Sequence, residues 1–140
     1  MRITVIGTGY VGLVAGACFA ETGNRVVGLD KSVDKIERLK QGEIPIFEPG
    51  LQEIVTRNQR EGRLSFTTDI AQAVADAELI FLAVGTPSGP NGEPNLTYLE
   101  EAARSVARQL KKQSRSGCAR KPASSLKSFL ILSSCAKVQQ

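Results

Sequence analysis

The chain contains no histidine and no tryptophan, one methionine and three cysteines among its 140 residues. Without histidine there is no Ser-His-Asp triad, no imidazole base and no His-ligated metal. Cys18, Cys118 and Cys135 are odd in number and form no CxxC pair. That usage fits a reducing compartment and argues against a zinc site. Acidic side chains are missing from residues 102–140, which carry nine Lys and Arg, whereas residues 1–101 hold nine basic and fourteen acidic ones. The formal charge of +4 therefore joins a segment of −5 to one of +9. The basic pI near 9.1 describes neither part and does not by itself imply a nucleic-acid partner.

A long uninterrupted apolar run is also absent. Residues 3–20 carry no charge, but Gly7, Gly9, Gly12 and Gly16 break the stretch and Thr4, Thr8 and Tyr10 dilute it. A buried strand, a glycine turn and a helix account for this pattern better than a signal peptide or a membrane span. The expected location is the cytoplasm, with no membrane partner. The length suits one domain with a modest core.

What is present alternates regularly. Ile3–Ile6 is a β-branched run suited to a strand buried on both faces, and Tyr10–Glu21 reads as a helix stopped by Gly23. Arg25–Leu29 is a second strand, and Ser32 caps a helix from Val33 to Gln41. A Pro-rich turn over residues 44–50 leads into a helix over Leu51–Gln59, and Leu64–Phe66 is a third strand. Thr68 or Asp69 caps a short helix through Ala75, and Leu79–Val84 is a strongly apolar fourth strand. Residues 85–95, with three prolines and three glycines, form a loop. Thr97 and Glu100 then make a capping box for a helix reaching about Lys112. The alternation predicts an α/β fold: a Rossmann-like, doubly wound parallel sheet, incomplete at about four strands, over residues 1–112.

From residue 113 the patterning stops. Residues 113–140 hold seven of the eleven serines, five basic residues and no acid. This segment is expected to be a disordered, basic, Ser-rich tail, in which only Phe129–Leu132 has strand character.

Gly7-Thr8-Gly9-Tyr10-Val11-Gly12 matches G-x-G-x-x-G, a weak pattern alone. Here it follows a predicted strand, opens a predicted helix and precedes a second strand ending at Asp30, the context that a dinucleotide site requires. Gly7 permits the tight turn, Gly9 lets a diphosphate approach the backbone, and Gly12 lets the helix pack close to the strand. The positive end of the helix stabilises the diphosphate. Asp30, placed to accept from the adenosine-side ribose hydroxyls, repels a 2′-phosphate, so NAD is favoured over NADP. Lys31 beside it softens that preference. Cys18 reads as a small core residue on the first helix.

The stretches 1–13, 16–21, 42–51, 66–69 and 83–87 together resemble the amino-terminal part of the UDP-glucose/GDP-mannose dehydrogenase family. Ile46-Phe47-Glu48-Pro49-Gly50-Leu51 and the stretch from Arg63 to Asp69 favour the UDP-glucose branch. The resemblance covers residues 1 to about 112. It implies NAD as cofactor, bound through Tyr10 and the Val11 backbone, Asp30 at the ribose, Lys35 beside the adenosine-side ribose, and Thr86 at the carboxyl edge of the sheet. It implies oxidation of a sugar primary alcohol to a carboxylate by two hydride transfers to NAD, through a cysteine thiolate. In the family that cysteine and its partners lie far beyond residue 140, and Cys118 and Cys135 lack its glycine-rich context, so no catalytic residue is assigned here.

Where the family carries Ser-Thr-Val-Pro-Val-Gly beside the nicotinamide, at about residues 119–124, the chain reads Ala-Arg-Lys-Pro-Ala-Ser. A divergent, rearranged or frame-shifted terminus after about residue 112 is the expected explanation of this break. The expected chain is therefore a nucleotide-binding part that is inactive alone, using UDP-glucose only when the missing half is supplied. Activity by complementation with a separate catalytic half is the alternative. A basic segment binding nucleic acid or an acidic surface is a third. Against it, Arg104, Arg108 and Lys111 share a helix whose other face is apolar, and the tail has one aromatic, Phe129. In the family strand order 3-2-1-4 the fourth strand is an edge, from which poor solubility or self-association is expected.

Overall fold

A computed structural model describes residues 1–115 and 128–131. The elements run β1 (Arg2–Ile6), α1 (Tyr10–Glu21), β2 (Arg25–Leu29), α2 (Val33–Lys40), α3 (Leu51–Arg60), β3 (Leu64–Thr67), α4 (Ile70–Val74), β4 (Leu79–Leu82), α5 (Thr97–Arg115) and β5 (Ser128–Ile131). The strands form one parallel sheet in the order β3-β2-β1-β4-β5. β1 lies at its centre, with Val5 paired to Gly28 on one side and to Phe81 on the other. Ile3 to Ile6 are all buried, as a central strand covered on both faces requires.

Successive side chains of a strand point to opposite faces. Ile3, Val5 and Phe81 accordingly join Leu13, Ala17, Ile36, Leu39 and Val55 in one core. Ile6, Ile80 and Leu82 join Ala73, Val74 and Val106 in the other. Helices α1 to α3 thus pack on one face, and α4 and α5 on the other. Thr4 and Asn58 are among the polar side chains buried with them. The Thr4 hydroxyl donates to the Ala73 carbonyl at 2.5 Å. Asn58 donates to Glu21 and to the Ile54 carbonyl, each at 2.8 Å, and accepts from Arg63 Nε at 2.8 Å. It ties α3 to the end of α1.

The strand–helix alternation and the strand order 3-2-1-4 agree with expectation, as do the caps of α2 and α4. Ser32 accepts from Lys35 N and Asp69 from Ala71 N. Three details differ. The Thr97–Glu100 capping box does not form: Asn95 Oδ1 accepts from Thr97 N and from its hydroxyl, and Glu100 N bonds to the Leu96 carbonyl. An Asx turn at Asn95 takes the role of the cap. Cys18 is exposed, because the stripe of α1 that faces the sheet runs through Leu13, Ala17 and Ala20.

β4 is not an edge. Leu79 to Leu82 pair with Ser128 to Ile131, so the fifth position is taken by part of the apolar run in the tail. The premise of the expected self-association, an open apolar β4, is thereby removed. The rest of the expected disordered tail, residues 116–127 and 132–140, lies outside the described residues, with Cys118 and Cys135. No described helix is long and apolar enough to cross a membrane.

Candidate functional site

All five strands run the same way, so their carboxyl ends share one edge of the sheet, where open α/β folds bind ligands. β1 leaves the sheet there through Gly7, whose φ is +97° and whose N–H donates to the Leu29 carbonyl at 2.8 Å. A side chain at Gly7 would lie 2.6 Å from the Ala83 carbonyl oxygen. At Gly12 a Cβ would come within 1.9 Å of the Gly7 carbonyl oxygen and 3.1 Å of Ala83 Cβ. Both positions are closed to anything but glycine.

Gly9 is the opposite case: nothing lies within 4 Å of where its Cβ would be. It occupies the N-cap of α1 without a side-chain cap, so the first N–H groups of the helix, from Tyr10 onward, face this space without an intrahelical acceptor. Open space, free N–H groups and the positive helix end together fit a diphosphate. Val11 is half-buried in the first turn of α1. The exposed Tyr10 side chain turns away to donate its hydroxyl to Glu48 at 2.8 Å, and that bond to a carboxylate raises the phenol above its usual pKa. An open groove lies between residues 46–50 and α3, and Glu48 in its lining is the residue that accepts the Tyr10 hydroxyl.

Asp30 lies one residue past β2, with its side chain 14% exposed. Its Oδ2 accepts from Thr8 N at 3.0 Å, from Thr8 Oγ1 at 2.8 Å and from Lys35 Nζ at 3.0 Å. Oδ1 accepts from Ser32 N at 3.1 Å. Burial pushes the carboxyl pKa up, but the bonds from Ser32, Thr8 and Lys35 together outweigh it and hold the group below its ordinary value. The result is an ionised carboxylate at the sheet edge.

The structure thus gathers Gly7, Gly9, Val11, Gly12, Asp30 and Lys35 around the exits of β1 and β2. Thr86, 5% exposed, lies beyond β4 on the same sheet edge, separated from Asp30 by the intervening β1. Tyr10 contributes position through its backbone, since its ring is engaged with Glu48. Sequence reasoning missed Thr8 and the Ser32 N–H. A hydroxyl between two glycines directly after a buried strand was the available signal for the first. The Asp30-Lys31-Ser32 spacing of an Asx turn was the signal for the second.

Residues 1–116 match the UDP-glucose/GDP-mannose dehydrogenase family, NAD binding domain. A UDP-glucose 6-dehydrogenase of Rhizobium meliloti is 53% identical over 111 residues, covering 79% of this chain and 25% of that protein. Among solved structures, a UDP-glucose dehydrogenase from Pyrobaculum islandicum superposes with a TM-score of 0.77 at 44% identity, covering 81% of this chain and 26% of that one. A ternary complex of the GDP-mannose dehydrogenase from Pseudomonas aeruginosa gives a TM-score of 0.78 at 42% identity, covering 82% and 26%. The chain spans about a quarter of the length of the curated relatives it matches. With the glycine turn, the acid after β2 and the strand order in place, the chain belongs to the UDP-glucose/GDP-mannose dehydrogenase family and carries its NAD-binding domain.

Proposed function

We propose that the chain is the NAD-binding portion of a UDP-glucose 6-dehydrogenase and has no dehydrogenase activity alone. The observation that carries this reading is the pairing of an open Gly9 turn with a pinned Asp30 carboxylate one strand away. The Tyr10, Val11 and Gly12 N–H groups receive the diphosphate. Asp30, with Lys35, receives the adenosine-side ribose, and its negative charge disfavours a 2′-phosphate. Thr86 lines the same edge on the far side of β1. When bound, NAD supplies the hydride acceptor for sugar oxidation. The chain's own residues hold and orient that cofactor. The curated UDP-glucose relatives are 46% to 53% identical and the GDP-mannose ones 40% to 45%, which supports the UDP-glucose branch.

The cysteine among the described residues, Cys18, supports the inactive reading. Cys18 sits eight residues into α1, about 12 Å along the helix from its N-terminus. It is too far from the turn to capture an aldehyde at the cofactor.

The test is calorimetric titration of the chain with NAD, with Asp30→Ala as control, followed by assay of UDP-glucose-dependent NADH formation. Saturable NAD binding that weakens in Asp30→Ala, with no NADH formed, is the expected result. NADH production by the chain alone overturns the inactive reading. Failure to bind NAD overturns the site.

A further inference from the structure

We propose that Thr8, the residue between the first two glycines, is a positioning residue for cofactor selection that aims the Asp30 carboxylate at the ribose. The inference rests on the reading that Asp30 receives the adenosine-side ribose.

Thr8 is 2% exposed and grips one oxygen, Oδ2, with both its backbone N–H and its hydroxyl, at 3.0 and 2.8 Å. Lys35 Nζ shares that oxygen at 3.0 Å, while Oδ1 has the single donor Ser32 N at 3.1 Å. A carboxylate oxygen offers about two lone-pair sites. Oδ2, with three donors, is therefore full, and the open acceptor site is on Oδ1. The two kinds of donor on Oδ2 differ in freedom. Thr8 is locked in the glycine turn, whereas the Lys35 side chain is 35% exposed at the end of four flexible bonds. Lys35 is the donor that can yield when a second ribose hydroxyl arrives, and Thr8 is the one that keeps the carboxylate in place as it does. Because the Thr8 N–H is committed to Asp30 and the Gly7 N–H to Leu29, the diphosphate is left to the N–H groups of α1.

Carboxylate orientation matters most to the cofactor that offers more hydroxyls. NAD presents both its 2′- and 3′-hydroxyls to Asp30, whereas NADP keeps only the 3′-hydroxyl and meets the carboxylate with a charged 2′-phosphate, so loss of the Thr8 hydroxyl weakens NAD more than it weakens the already poor binding of NADP. The test titrates the full chain with NAD and with NADP, as wild type, Thr8→Val and Thr8→Ser. It also follows the Asp30 carboxyl by carbon NMR against pH. Valine keeps the shape and removes the hydroxyl, while serine keeps the hydroxyl.

In Thr8→Val the NAD dissociation constant rises about tenfold, the scale of one lost hydrogen bond to a charged group, and that of NADP changes by less than about threefold. The Asp30 carboxyl titrates at higher pH in Thr8→Val than in wild type, and Thr8→Ser restores both properties. Parallel weakening of NAD and NADP, or an Asp30 titration unmoved by Thr8→Val, overturns the proposal. Should wild type fail to retain NAD while Thr8→Val still moves the Asp30 titration, the ribose-site reading fails and the Thr8 clamp stands as a structural contact without a role in selection.

Discussion

Replacing Gly12 with alanine drives a methyl group into the main chain of the phosphate-facing turn. The added carbon would start 1.9 Å from the Gly7 carbonyl oxygen, and ordinary contact begins at 3.4 Å, so the first turn of α1 must retreat by about 1.5 Å. Neither obstacle gives way easily. One is backbone fixed by the Gly7–Leu29 hydrogen bond, and the other, Ala83 Cβ at 3.1 Å, belongs to the core. Overpacking of a well-filled core costs about 1–3 kcal/mol, and a rigid main-chain obstacle belongs at the upper end. With a urea slope of about 2 kcal/mol/M, a loss of about 3 kcal/mol lowers the unfolding midpoint by about 1.5 M.

Gly9→Ala is the matched control. Its Cβ meets nothing within 4 Å, and its φ of −72° and ψ of −169° are open to alanine. The fold should lose no more than about 1 kcal/mol, the scale of an N-cap change. NAD binding should still weaken by at least about tenfold, because the methyl occupies the approach of the diphosphate. Urea unfolding followed by circular dichroism and calorimetric NAD titration read the two effects separately. A Gly12→Ala midpoint within about 0.3 M of wild type, or a Gly9→Ala chain that binds NAD as wild type does, refutes the reasoning.

Asn58→Ala should destabilise the chain by about 2 kcal/mol in the same urea assay, since it strips partners from Arg63 Nε and Glu21 at a fully buried position; a midpoint equal to wild type counts against this. Because the folded Asp30 carboxyl is held below its ordinary value, its stabilising contribution is complete above the unfolded carboxyl pKa of about 3.9 and disappears as pH falls through the folded value. Wild type should therefore lose stability more steeply than Asp30→Asn below about pH 4, and parallel acid limbs would contradict the sign. Leu130→Pro removes a backbone donor from β5, and hydrogen exchange should then show lost protection for the β4 amides facing β5 but not for those facing β1. Uniform protection across β4 in both chains would mean that β5 adds nothing to the sheet.

The sheet was legible because its signals are local and repeated. Ile3 to Ile6, Arg25–Leu29 and Leu79–Leu82 are short apolar runs that have no other place to go, and Gly23 and Ser32 punctuate them. The glycine turn was legible for the same reason, each glycine meeting a different steric demand. What escaped depended on direction or on distance. Periodicity placed Cys18 on α1 but not on its outer side. The Thr97–Glu100 spacing suited a capping box, yet Asn95 reached the same N–H first. Thr8 looked like a dilution of an apolar stretch, and only the register between β1 and β2 reveals that it faces Asp30. Twelve residues separate β5 from α5, with no helix pattern between them to announce that its run would complete the sheet.

The Asp30 cluster has a mechanical side. Through Thr8 it is fastened to the turn after β1, and through Ser32 and Lys35 to the start of α2, so one half-buried charge knots two crossover connections together. The segment after β4 is secured differently. Gly89 and Glu93, and Asn95 and Pro87, join it to itself, and most of it is exposed. The sheet edge is thus stiff where β1 and β2 end. A ligand entering the stiff end finds its partners already ordered and gives up little chain entropy there. An adenosine diphosphate fragment should then keep most of the affinity of the whole dinucleotide, with the remainder gained only when the far end is built around it.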